Sequence, residues 1–331
     1  MLSKDISVVV QGFVCEVATP KCLKSIRECL PDSKIILSSW EGSDLSTVGI
    51  LCDEVVLNAD PRQIIQQRTM SGSKTNVRYS NINRQIVATL SGLKRVNTKY
   101  VLKFRTDFAL CNPGFLNYFD SYQEFDDKFK CVEKRVLLWN LYTRNPKIKF
   151  PLAYHFSDVV MFGLRDDLLN IWDIPLSAPD DIVKYGKHEF ARYAPEQHVW
   201  LNFLRKYHAI ECPEFDTQCG DVIRESENYM LNNVVLLNTK QFGLKVLKKD
   251  ILSHHAWTCY THRDWLALYK KSIFKESTLG YIWLCIKYNY KLILFVPLVI
   301  NYVWRKVVKA VTCLIPNKKL RRQVRRIYWR T

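Results

Sequence analysis

The sequence predicts an α/β protein built on a parallel sheet wrapped by helices. Two observations carry this reading. Apolar strand runs alternate with amphipathic helix patterns through the first hundred residues, and the run KYVLKFRTDF, Lys99 to Phe108, ends in charges where a buried parallel strand would stop. Composition agrees, since 331 residues with 48% hydrophobic and 24% charged side chains are ordinary for a globular chain with a sizeable core.

The elements follow in order. Ile6 to Val10 is an apolar strand ending at Gln11 and Gly12. Thr19 and Pro20 cap a helix with apolar positions at Leu23, Ile26 and Leu30, and Pro31 stops it. Lys34 to Leu37 is a second strand running into SSWEG, and Glu54 to Leu57 a third, ending at Asn58 ahead of Asp60 and Pro61. Arg62 to Tyr79 is polar and lacks strong periodicity, which predicts a long loop or a mobile lid beside the site. Asn81 to Leu93, NINRQIVATLSGL, reads as an amphipathic helix, and the strand from Tyr100 follows it. Such alternation implies right-handed crossovers between parallel strands. Later, HFSDVVMFG (His155 to Gly163) supplies another buried strand, and PEQHVWLNFL (Pro195 to Leu204) opens a helix with Pro195 in its first turn and Glu196 at its positive end.

Composition narrows the function classes. VVVQGFVCEVATP has one glycine where a dinucleotide fingerprint needs three, and no GxxxxGKS occurs, so a nicotinamide dehydrogenase or a P-loop ATPase is not expected. The eleven cysteines form no CxxC pair and several sit in apolar patterns, which predicts reduced thiols and a cytosolic environment. The start, MLSKDISVVV, does not read as a secretory signal.

The net charge of +17 is concentrated. After Glu276 there is no acidic residue but twelve Lys and Arg, leaving about +5 for everything before it. The same tail carries LILFVPLVI (Leu292 to Ile300) and the aromatics Tyr281, Trp283, Tyr288, Tyr290, Tyr302, Trp304, Tyr328 and Trp329. Lys287, Asn289, Lys291, Pro297 and Asn301 interrupt any span of ~20 apolar residues, so the tail is expected to lie on an anionic membrane surface rather than to cross it. A C-terminal helix packed on the core, followed by a solvated basic end, is the structural alternative. No nucleic-acid reader motif accompanies the charge, and no specific nucleic acid is expected as partner.

Lys103, Arg105 and Asp107 alternate along one strand, so they can project to one face. Arg pairs with phosphate oxygens while Asp can hold a metal or a sugar hydroxyl, which suits a phosphorylated substrate. Taken as a set, VVVQG, IILSSWEG, DEVVLNADP, NINRQI with SGL, YVLKFRTD, HFSDVVMFG and APEQHVWLNFL resemble the WavE family of lipopolysaccharide-synthesis proteins over most of residues 5–260.

That resemblance implies a GT-A-like glycosyltransferase with a Rossmann-type sheet. Residues 1–110 would bind the nucleotide-sugar donor, 111–265 the lipopolysaccharide or lipid-linked acceptor, and 266–331 would form the basic membrane-associating tail. The enzyme would sit peripherally on the cytoplasmic face of the inner membrane. RTD stands where GT-A enzymes carry an Asp-x-Asp metal motif, with Arg105 in place of the first carboxylate. Dependence on Mg²⁺ or Mn²⁺ is therefore open, with Asp107 and one of His254 or His255 as the candidate ligands. Donor contacts fall to Gln11, Gly12, Asn83, Arg84, Lys103, Arg105 and Asp107. An inverting reaction needs a carboxylate to take the acceptor's proton, for which Glu196 is the candidate and Asp158 the runner-up.

Structural readings compete at each position: a salt bridge for Arg105 and Asp107, a capping bond for Gln11, a solvent-facing charge for Arg84, a satisfied core histidine at His155. At the level of the whole chain, the alternatives are a noncatalytic envelope-polysaccharide assembly protein and a nucleotidyltransferase.

Overall fold

All six residues of the first strand, β1 (Ile6–Gln11), are buried, as a strand covered on both faces by helices must be. The computed structural model describes residues 2–71, 74–148, 151–217, 220–247, 256–289, 302–304, 306–317, 320–321 and 324. After β1 the chain runs through α1 (Ala18–Cys29), β2 (Lys34–Trp40), β3 (Glu54–Asn58), β4 (Ile64–Ser71), β5 (Lys74–Ser80), α2 (Ile82–Leu93), β6 (Tyr100–Arg105), β7 (Phe108–Leu110), β8 (Val136–Trp139) and β9 (Met161–Leu164). It continues through α3 (Arg165–Trp172), β10 (Ile182–Tyr185), β11 (His188–Ala191), α4 (Pro195–Leu204), α5 (Gly220–Asn233), β12 (Val234–Leu237), α6 (Thr239–Phe242), β13 (Leu244–Val246), α7 (His262–Ile273) and α8 (Leu279–Asn289).

Among the described residues the main sheet has the order β12-β8-β9-β6-β1-β2-β3. β3, β2, β1 and β6 run parallel, as the alternation predicted, and β12 is parallel to β8. β9 departs from the expected all-parallel sheet by running antiparallel to both β6 and β8. Its register pairs Lys103 with Met161 and Tyr100 with Leu164. The segment just before β9 is thereby brought to the edge where β6 ends. Helix α2 lies on β1 and β2. Gly92 makes that approach possible, since a Cβ there would collide with Val9.

The polar stretch Arg62 to Tyr79 is not the irregular loop expected from its composition. It forms the antiparallel hairpin β4–β5, which β11 and β10 extend into a second sheet of order β10-β11-β4-β5. Its side chains are mostly half-buried or exposed, so no apolar face had to appear in the sequence. One strand of this sheet, β5, leads straight into α2, and another, β11, leads into α4. Thr19 does not stand at the N-cap of α1. Val17 does, and the Thr19 hydroxyl accepts the Cys15 N–H one turn earlier at 2.8 Å.

Residues 1–278 form one compact unit and 279–331 a second. The expected boundary at 110 falls inside one continuous sheet, and the expected boundary at 265 falls inside α7. Among the described residues no helix is long and apolar enough to cross a membrane. The run Leu292 to Ile300 lies outside the described residues.

Candidate active site

The sheet's order reverses between β1 and β6, and the crevice outside the carboxyl ends of such a pair is where open α/β sheets bind ligands. Gln11 closes β1 with its Cα opposite Ser38 on one side and Arg105 on the other, and its side chain is buried. Gly12 follows with φ +133°, a conformation that side-chain-bearing residues rarely adopt. A Cβ at Gly12 would also meet the Thr106 hydroxyl at 2.9 Å. Thr106 donates to the Phe13 carbonyl at 2.9 Å, and Ser39 to the Gly12 carbonyl at 2.9 Å, so the turns after β1 and β6 are laced together.

A cleft of about 200 Å³ opens beside this edge, lined by Gln85, Arg105, Phe108, Tyr142, Asp158, Val159, Pro195 and Glu196. Five parts of the chain meet there: the end of β6, the start of β7, the first turn of α2, the segment from Tyr142 to Val159, and the first turn of α4. Pro195 starts α4 as expected, and the Gln197 side chain accepts the Ala194 N–H at 3.1 Å, fixing the entry to the helix.

Arg105 and Asp107, read from sequence as a pair at a strand end, do pair. The Arg105 Nε and Nη2 donate to the two Asp107 oxygens at 2.9 and 2.8 Å, a fork that holds the guanidinium in one orientation. Lys103 has a different place. It is fully buried, its ammonium donates to the carbonyls of Asp158 and Val159, and it lies 4.7 Å from the Trp172 ring centre. Burial pushes its pKa down, while the Asp158 charge opposes that shift. Its role in the fold is to clasp the segment that carries Asp158.

The carboxylates Asp158 and Glu196, distant in sequence, reach the same cleft. Burial pushes Glu196 up to about 7, against its own backbone N–H and the cations Arg144 and Arg105. Burial, and then the Glu196 charge, raise Asp158 above the usual carboxylate range, with Lys103, Arg105 and His155 pulling the other way. Behind them His155 is buried, its Nδ1 2.7 Å from the Tyr142 carbonyl and its Nε2 3.4 Å from Glu196 Oε2. Burial and the Arg144 charge hold that imidazole down at about 4, so it is neutral at pH 7. Tyr142 presents its carbonyl from a left-handed backbone, φ +75°.

Two other predicted donor contacts are engaged away from the cleft. Asn83 clasps Ser177 through both its amide groups, at 2.9 and 2.8 Å, and Arg84 is bound to Asp60 at 2.7 and 2.5 Å. Their neighbour Gln85 is the one that lines the cleft. Tyr142 and Arg144 were not anticipated. They sit in a stretch, NLYTRNP, with no periodic or motif signal, and only the tertiary fold carries them to the site.

The resemblance leaves dependence on Mg²⁺ or Mn²⁺ open, with Asp107 as a candidate ligand. Both Asp107 oxygens are taken by Arg105, and among the described residues no three His, Cys, Asp or Glu side chains gather as a metal set. His254 and His255 lie outside the described residues. The described donors alone do not fit a protein-held divalent ion.

No curated protein matches the chain. A family model described as WavE lipopolysaccharide synthesis matches residues 6–310. A parallel half-sheet with its charged crevice thus coincides with a match over nearly the whole length, and the chain belongs to the WavE lipopolysaccharide synthesis family.

Proposed function

We propose that this protein is a glycosyltransferase of GT-A type that moves a sugar from a nucleotide-sugar donor to a lipopolysaccharide or lipid-linked acceptor at the cytoplasmic face of the inner membrane. The observation that carries the reading is the meeting of a half-buried carboxyl raised to about 7, Glu196, with the oriented cation Arg105 in one cleft at the β1–β6 crevice. Family membership supports the pathway, and the strand order 3-2-1 followed by a parallel fourth strand supports the nucleotide-binding half.

In this reaction Glu196, ionised, takes the proton of the acceptor hydroxyl as that oxygen bonds to the anomeric carbon. The bond from that carbon to the donor phosphate breaks, and its electron pair leaves on the phosphate oxygen. Arg105 faces the charge that develops there. Asp158 is the second carboxylate of the cleft and the alternative base. Gln11 and Gly12 floor the nucleotide side, where the glycine lets the backbone come close.

The test is a donor screen on membranes from a strain lacking the protein, with the product mass read directly. A new product of one sugar mass, lost in Glu196→Gln, is the expected result. Turnover of a nucleoside triphosphate with pyrophosphate release would instead indicate a nucleotidyltransferase. Failure of every nucleoside diphosphate to bind by calorimetry would favour a noncatalytic assembly role.

A further inference from the structure

The helix α8 carries its apolar residues outward. Leu279, Ile282, Trp283 and Ile286 are all exposed, Leu279 at 85%, while Leu284 on the far side is buried. Their spacing of i, i+3, i+4 and i+7 places them on one stripe of the helix. A second stripe follows. Trp304, Val307, Val311 and Leu314 recur at three, four and three residues along a segment that is helical at 306–313, and all four are exposed, Leu314 at 83%, with Val308 and Thr312 on the adjoining arc buried. Tyr302 and Val303 add exposed apolar surface, and the Lys306 ammonium lies 5.4 Å from the Tyr302 ring centre.

A soluble surface rarely offers two such stripes without something to cover them. The charge of the same segment selects the occupant. Between Ser277 and Thr331 the chain has twelve Lys and Arg and no Asp or Glu. Protein interface cores are depleted in Lys, whereas anionic lipid headgroups attract cations in proportion to their number. Trp and Tyr beside those cations match the boundary between headgroups and acyl chains.

We infer that α8 and the helix at 306–313 form a lipid-docking surface that seats their apolar stripes in the interface of an anionic bilayer, lying in its plane. The occupant is a phospholipid surface carrying net negative charge. The stripes supply apolar burial and the cations supply headgroup selectivity. The docking surface needs no sugar donor, so it is tested apart from the transfer reaction.

Flotation of the full-length protein with phosphatidylethanolamine–phosphatidylglycerol vesicles, in parallel with phosphatidylcholine vesicles, measures it. Binding at least about tenfold tighter on the anionic vesicles, weakening steadily as salt is raised, is expected. Val311→Glu and Ile282→Glu, each checked for an unchanged circular dichroism spectrum and melting temperature, are expected to lower anionic-vesicle binding at least about tenfold by placing an acidic side chain in the apolar stripe. Equal partition onto both vesicle types, or none onto either, overturns the inference. So does self-association in lipid-free ultracentrifugation that either variant abolishes while vesicle binding is unchanged, since a second copy would then cover the stripes. Because the wild-type salt series uses no substitution, a variant that fails to fold leaves the inference open to refutation by that series.

Discussion

The Nε2 of His155 stands 3.4 Å from Glu196 Oε2, while its Nδ1 is held 2.7 Å from the Tyr142 carbonyl. A carbonyl only accepts, so the ring proton sits on Nδ1 and a bare Nε2 faces the carboxyl. An ionised Glu196 would set lone pair against lone pair, which works with burial to keep its proton on. The carboxyl is therefore poised to give up its proton near neutrality rather than in acid, where a base serving at pH 7 is most effective.

Glu196→Gln is expected to lower sugar transfer by about 10²- to 10⁴-fold while leaving nucleoside diphosphate affinity within a few fold. Transfer assays beside calorimetry check this. Asp158→Asn under the same assays ranks the two carboxylates, and full activity in Glu196→Gln would move the base to Asp158.

The pH dependence of stability separates Glu196 from its neighbours. Its folded pKa, about 7, lies above the ordinary glutamate value of 4.5, so its contribution is fully present below 4.5 and is lost as pH rises through 7. His155 runs the other way, gaining stability from about 4 up to 6.5. Glu196→Gln removes the first effect and keeps the second. The variant should gain on wild type by up to about 3 kcal/mol between pH 4.5 and pH 7, read by denaturant melts across that range. A constant difference across that window contradicts the raised Glu196 pKa.

Arg105→Met should weaken nucleoside diphosphate binding by about tenfold or more, since the oriented cation is lost, and Arg105→Lys, without the planar fork that Asp107 holds, should recover only part of it. Transfer measured in EDTA bears on the same residue. Product formation within a few fold of the untreated rate is expected if Arg105 meets the diphosphate charge. An absolute need for Mg²⁺ or Mn²⁺ would assign that task to Asp107 together with ligands outside the described residues.

Gly12→Ala should cost about 1–3 kcal/mol, because alanine is strained at φ +133° and its Cβ would press on the Thr106 hydroxyl. Thermal melting measures the loss. Adding Thr106→Ala should return part of it by clearing the contact, with the backbone strain remaining.

Much of the main sheet was legible because its strands, buried on both faces, are continuous apolar runs such as ISVVVQ and KIILSSW. Direction was not. MFGL reads as a buried strand from its own residues, but only its pairing with β6 and β8 reveals that it runs backwards and so delivers Asp158 to Arg105. The hairpin β4–β5 was missed because neither of its faces is apolar enough to leave a period of two. At the site, Arg105, Asp158 and Glu196 could be named from charge placed at element ends. Tyr142 and Arg144 act through a carbonyl and a through-space charge, and neither leaves a trace in local sequence.

The small sheet has a mechanical consequence for the cleft. β5 ends at Ser80, five residues before Gln85, and β11 ends at Ala191, five residues before Glu196. With only β4 between these strands, the two wall residues hang from one yoke, their anchor strands roughly 10 Å apart. Gln85 and Glu196, on two walls of the cleft, thus both follow directly from strands of this small sheet, whereas Arg105 comes from the seven-stranded one.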